Sequence, residues 1–225
     1  MAHLEALIMK WSEQAWKEAE PVYRRILELD FVRELTAGTL DREKFLFYIR
    51  QDALYLVGFG KALAGIAAKL DNVEHSQAFL AFAGECMAIE RALHESYLGG
   101  EKLQDLIEPS PTCLLYTSYI LKQVYDAPLE VAMAAVLPCF WVYKEVGDHI
   151  LSRRKINGNP YQAWIDTYGG EEFAVAVKKA IDICDGAAAS CTEARRQAMT
   201  EAYVLCTKME WMFWDSAWKQ EAWPV

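Results

Sequence analysis

The stretch Ala134-Ala135-Val136-Leu137-Pro138-Cys139-Phe140-Trp141-Val142-Tyr143-Lys144-Glu145-Val146-Gly147 overlaps a run that is apolar from Val131 to Tyr143. That run is too short to span a bilayer, which takes about 20 residues, so it reads as a helix buried in a protein core. Two features set it apart from plain core. Pro138 cannot donate to the Ala134 carbonyl, which predicts a kink and a carbonyl released from the helix ladder. Cys139 follows at once, with Tyr143 one turn on and on the same face. Two readings stay open: a structural cysteine beside a tolerated proline, or a nucleophile with a phenol at hand.

Outward from this segment almost everything has helical period, and no strand-like alternation persists. Upstream, a first helix is expected from about His3 to Glu18, with Leu4, Leu7, Ile8 and Trp11 on one face. Pro21 suits the first turn of a second helix that Gly38 closes. Thr39-Leu40-Asp41 caps a long third, about Arg42 to Leu70, and a fourth covers about Glu74 to Tyr97. Ser110 or Thr112 caps the next. Pro128 opens the helix that carries Cys139 and runs to about Leu151. A short helix with Trp164 ends at Tyr168-Gly169-Gly170, and two more follow, about Glu171 to Asp185 and Glu193 to Lys219. The expectation is one all-α domain over residues 1–225, a single-domain multi-helix bundle. The loops after Tyr97 and Leu151 look long enough to move.

Composition narrows the function. Net charge is −9, with acidic residues interspersed, so neither nucleic acid nor an anionic membrane is expected as a partner, since both need basic patches. None of the six cysteines forms a CxxC pair or lies at zinc spacing with a histidine. Glu5 splits the apolar character of Met1 to Lys10, so no signal peptide is visible and a cytoplasmic location with reduced thiols is expected.

Three helices place polar groups on apolar faces. Tyr48, Asp52, Tyr55 and Phe59 recur at four, three and four residues, hence on one face. An ionised Asp52 there needs a donor, unless it reaches a surface partner such as Arg50. Glu210 lies among Met209, Trp211 and Met212, which raise a carboxyl's pKa by desolvation and equip it as a proton donor near neutral pH; the alternative is a solvated helix residue. Glu90/His94 and Glu145/His149 stand four apart as metal ligands can, but surface pairs of this spacing are far commoner, and no metal site is assigned.

At Leu137-Pro138-Cys139-Phe140-Trp141 and Tyr143-Lys144-Glu145-Val146-Gly147 the chain resembles the thiaminase II (TenA) family, in its cysteine-containing branch. Four further stretches agree in order and spacing. They are Phe47-Tyr48-Ile49-Arg50-Gln51-Asp52, Ser110-Pro111-Thr112 running to Tyr116-Thr117-Ser118, Thr167-Tyr168-Gly169-Gly170, and Glu210-Trp211-Met212-Phe213-Trp214. The resemblance implies a haem-oxygenase-like helical bundle, a homotetramer without haem, metal or other cofactor. It implies hydrolysis of thiamin, or of the aminopyrimidine left by its breakdown, to hydroxymethylpyrimidine. Motif by motif, the nucleophile falls on Cys139, the acid/base carboxyl on Glu210, and the carboxylate holding the pyrimidine amino group on Asp52. Tyr55 and Tyr116 match tyrosines near the reacting carbon and the thiol, and Tyr116 is expected to donate to the sulfur. Phe59, Tyr143, Tyr168 and Phe213 match the pocket lining. Phe140 departs from the tyrosine often found after the cysteine, which should matter little if its side chain packs outside the site; Lys208-Met209 stand where tyrosines often precede the glutamate. Two rivals remain on the same scaffold: a non-catalytic pyrimidine-binding or regulatory protein, and a metal-dependent oxidase.

Overall fold

The computed structural model describes residues 9–98, 108–153 and 158–225. Among them are nine helices and no strand: α1 (Trp11–Leu27), α2 (Asp30–Ala37), α3 (Arg42–Ala67), α4 (Val73–Leu98), α5 (Pro111–Asp126), α6 (Leu129–Arg153), α7 (Gln162–Gly169), α8 (Glu171–Ala189) and α9 (Glu193–Lys219). Their ends follow the expected chemistry. The Asp41 carboxylate accepts from the Glu43 and Lys44 amides, the Ser110 hydroxyl from that of Cys113, and the Thr192 hydroxyl from that of Arg195. Each satisfies amides that a helix start leaves without a partner.

The N-terminal reading is corrected. Pro21 does not open a second helix; it lies inside α1, which ends only before Glu28. Pro21 is exposed, so the Lys17 carbonyl it leaves without a donor faces water and the helix survives. The buried face of α1, with Ala15, Ala19 and Ile26 against α9, holds it in register on both sides of the proline. Residues 3–8 of the expected first helix, and most of the loops after Tyr97 and Leu151, lie outside the described residues. Pro138 likewise sits within a continuous α6.

All nine helices contribute to one cluster of buried side chains. The α3 helix lies along α4 and against α5, and α9 lies between α1 and α6. The central two have little polar surface: α6 is buried almost without interruption from Val131 to Val146, and α3 buries Tyr48, Asp52, Tyr55 and Phe59 on a single face. The short α7 is tied in by polar contacts. Tyr161 donates to the Leu40 carbonyl at 2.6 Å, Asn159 to that of Leu35 at 2.8 Å, and the first-turn amide of Trp164 to the Tyr97 hydroxyl at 3.3 Å.

One glycine decides where α7 rests. A Cβ on Gly147 would stand 2.8 Å from the backbone of Tyr168 and Gly169, so α6 and α7 meet main chain to main chain. Gly147→Ala is therefore expected to push α7 and its Tyr168 outward. Overpacking of this kind costs about 1–3 kcal/mol, a fall of roughly 2–4 °C in Tm per kcal/mol at this chain length. Thermal unfolding measures it, and an unchanged Tm would show that the contact gives way without strain.

Candidate active site

Where these helices converge, a largely apolar, aromatic-walled cavity opens. Five of the expected residues line it: Asp52 and Phe59 from α3, Cys139 and Tyr143 from α6, and Tyr168 from α7. The other four, Tyr55, Tyr116, Glu210 and Phe213, form a buried group beside it, each at most 2% exposed. Ring contacts join the two sets: Tyr55 stacks on Phe59 at 5.5 Å, and packs on Tyr116 at 4.8 Å and Phe213 at 5.6 Å. On the far wall Tyr143 packs on Tyr168 at 4.9 Å. Flat aromatic walls of this kind suit a planar ring and exclude water.

Protonation within the group follows from burial. Glu210 is 1% exposed, and its pKa rises to about 8, mainly by desolvation and further by the charge of Asp52, while a hydrogen bond from Tyr116 opposes the rise. That bond is short: the Tyr116 hydroxyl stands 2.6 Å from Glu210 Oε1. The expectation that Tyr116 serves the sulfur is corrected here, because its hydroxyl is directed to the carboxyl. The Cys139 thiol is pushed well above its usual range by burial first and then by Glu210, although its surface reaches the cavity. Tyr55 is the phenol nearer the sulfur. Its hydroxyl has no hydrogen-bond partner of good geometry among the described residues, yet it lies close enough to oppose the rise at Cys139.

Several wall residues escaped sequence reasoning. Phe82 and Cys86 of α4 and Phe173 of α8 belong to the lining, as does the carboxylate of Glu85; nothing in their own spacing separates them from other helix residues. Phe140 lines the cavity and packs on Phe59 at 5.6 Å and Phe82 at 5.2 Å, so the condition under which its departure from tyrosine would matter little is not met. Asp52 is 4% exposed and lines the cavity wall. Among the described residues no three His, Cys, Asp or Glu side chains converge as metal ligands do. Glu145 accepts from the Trp141 indole at 3.1 Å, His149 lines a separate surface pocket, and the Glu90 and His94 side chains lie outside the described residues. No helix among the described residues is long and apolar enough to cross a membrane.

The model of the TENA/THI-4/PQQC family matches residues 16–220. The chain belongs to the TENA/THI-4/PQQC family. Among its relatives in that family, the aminopyrimidine aminohydrolase of Bacillus subtilis (strain 168) is 33% identical over 220 residues, covering 96% of this chain and 92% of that one. The thiamine biosynthesis multifunctional protein ThiED of Corynebacterium efficiens is 34% identical over 211 residues, but the chain spans only 28% of that longer protein. Of solved structures, a TenA family transcription regulator from Silicibacter sp. TM1040 superposes with a TM-score of 0.83 at 28% identity, covering 93% and 96% of the two chains. Haem oxygenase-2 of Synechocystis sp. PCC 6803 superposes at 0.61 with 14% identity, covering 93% of this chain and 85% of that one. That likeness is one of fold alone, and the family fold is accordingly all-α and haem-oxygenase-like.

Proposed function

We propose that this chain is a thiaminase II, an aminopyrimidine aminohydrolase that hydrolyses the C–N bond between a pyrimidine's methylene and its nitrogen leaving group. Its substrates are aminomethylpyrimidine or thiamin, and its product hydroxymethylpyrimidine serves thiamin salvage. The observation that carries this reading is a thiol on the wall of an aromatic cavity, with a buried carboxyl beside that cavity that accepts from the Tyr116 hydroxyl and whose pKa burial raises. Family membership and the hydrolase relatives support it. The proposal also includes, on the resemblance, a single domain, a homotetramer and a cytoplasmic location.

Direct displacement at the methylene is hard because the leaving nitrogen departs from an aromatic neighbour that gives it no push. Addition of the Cys139 sulfur to the ring breaks aromaticity and supplies that push, turning one difficult step into easier ones. As the C–S bond forms, Glu210 protonates a ring nitrogen, and the thiol's own proton restores the carboxyl. The ring electrons then expel the amine, which departs with the proton released from the ring nitrogen through Glu210. The second proton of the incoming water is the one that later returns to sulfur. Water adds at the methylene, the C–S bond breaks, and the sulfur leaves with its electron pair and a proton. Net, water replaces the amine and the enzyme is unchanged. Because sulfur addition is coupled to this proton transfer, a free thiolate need not accumulate beside two carboxyl groups. Asp52 holds the exocyclic amino group, and Phe59, Tyr143, Tyr168 and Phe213 fix the ring plane.

Incubation with aminomethylpyrimidine and, separately, thiamin, with hydroxymethylpyrimidine followed by mass spectrometry, tests the reading. Turnover of either is expected; binding of the pyrimidine with no product would favour the non-catalytic rival, and turnover only on addition of iron would favour the oxidase.

A further inference from the structure

Tyr48 is fully buried behind the cavity wall, packed among Phe31, Phe45 and Phe213, and no step above uses it. Its hydroxyl has two partners. The Trp164 indole nitrogen stands 3.2 Å away, and so does the hydroxyl of Tyr143, which lines the cavity. An indole N–H can only donate, so the Tyr48 oxygen accepts from Trp164. The direction of the second bond then follows from what would be stranded. Among the described residues Tyr48 has no third hydrogen-bond partner. If Tyr143 donated to Tyr48, the Tyr48 proton would be buried with no acceptor, a defect that folded proteins avoid. If Tyr48 donates to Tyr143, nothing is stranded. The Tyr143 proton is then left to serve an acceptor on the cavity side. Burial holds both phenols well above their usual range, so each keeps its proton at physiological pH.

We infer that Tyr48 and Trp164 are positioning residues: the chain Trp164 to Tyr48 to Tyr143 fixes the Tyr143 hydroxyl as a hydrogen-bond donor toward the bound pyrimidine. This inference rests on the pyrimidine reading of the site. Its chemical sense lies in the pattern an aminopyrimidine presents, an amino donor next to a ring-nitrogen acceptor. The cavity wall meets that pattern with a carboxylate, Asp52, and a phenol committed to donating, Tyr143. A phenol free to rotate would meet a donor as readily as an acceptor, and the relay removes that freedom.

A double-mutant cycle on the full chain tests it, with hydroxymethylpyrimidine binding measured by calorimetry. Tyr48→Phe is expected to weaken binding about fivefold and Tyr143→Phe about tenfold. Because Tyr48 acts only through Tyr143, the double variant should also lose about tenfold. Trp164→Phe, which removes the first donor while keeping an aromatic ring, should weaken binding about threefold in the wild-type background and not at all in Tyr143→Phe. A merely structural role for Tyr48 would multiply the two losses to about fiftyfold, and that outcome overturns the relay. Failure of the wild-type chain to bind the pyrimidine would overturn the reading of the site itself, which separates the two.

Discussion

Cys139→Ser is expected to lower kcat by at least about 10³-fold, the scale on which enzymes lose activity when a covalent nucleophile is removed. Affinity for hydroxymethylpyrimidine should change by less than about threefold, since the ring is held by aromatic walls and Asp52. The physical difference is in the attacking atom. A serine hydroxyl is far less acidic and less polarisable than a thiol, and burial, which already pushes the Cys139 thiol up, disfavours alkoxide more strongly still. Oxygen is also smaller than sulfur, so the substitution adds no bulk to the cavity. Steady-state kinetics and calorimetry on the same preparation separate rate from binding. Wild-type turnover in the serine variant would end the covalent mechanism, and equal loss of binding would make Cys139 a packing residue.

How much of this was legible in the sequence depended on whether one helix or several carried the information. The face of α3 could be read because Tyr48, Asp52, Tyr55 and Phe59 repeat at helical spacing within one element, and the structure puts all four on one buried face. The α9 limits, about Glu193 to Lys219, were read from the sequence, and the structure adds the Thr192 hydroxyl that caps the helix start. Pro21 misled because its cost depends on exposure: a proline on the wet side of a long, well-packed helix loses one bond to water, and exposure is a tertiary fact. Phe82, Cys86 and Phe173 could not be seen, since they reach the cavity only through the packing of α4 and α8 around α3 and α6. For Phe140 and Tyr116 the positions were legible and the directions were not. Cys139 and Phe140 are neighbours in a helix buried on several sides, so both reach the cavity wall. The partner of the Tyr116 hydroxyl was settled by how α5 and α9 meet.

Glu210→Gln is expected to reduce kcat by about 10²- to 10⁴-fold, the usual worth of a positioned proton donor, with little change in pyrimidine affinity. The wild-type pH profile should show why. A carboxyl raised to about 8 is protonated at neutral pH, so the rate should fall as pH climbs through about 8, and the glutamine variant's residual rate should lack that limb. Stability should carry the same signature. The unfolded chain releases this proton near 4.5 while the native protein holds it to about 8, so between those values the native state binds more protons. Unfolding free energy must then fall as pH rises across that window. Urea melts at pH 5 and pH 8 should show the wild type losing stability between them and Glu210→Gln losing less. Tyr116→Phe supplies the complementary test. Removing the 2.6 Å hydrogen bond takes away the one interaction that holds the carboxyl down, so the alkaline limb should move to higher pH. Alkylation of Cys139 by iodoacetamide should be nearly unaffected in that variant; a marked slowing would place the Tyr116 hydroxyl on the sulfur after all. If Glu210→Gln changed only KM, the carboxyl would be a binding group, and the ring would have to find its proton elsewhere.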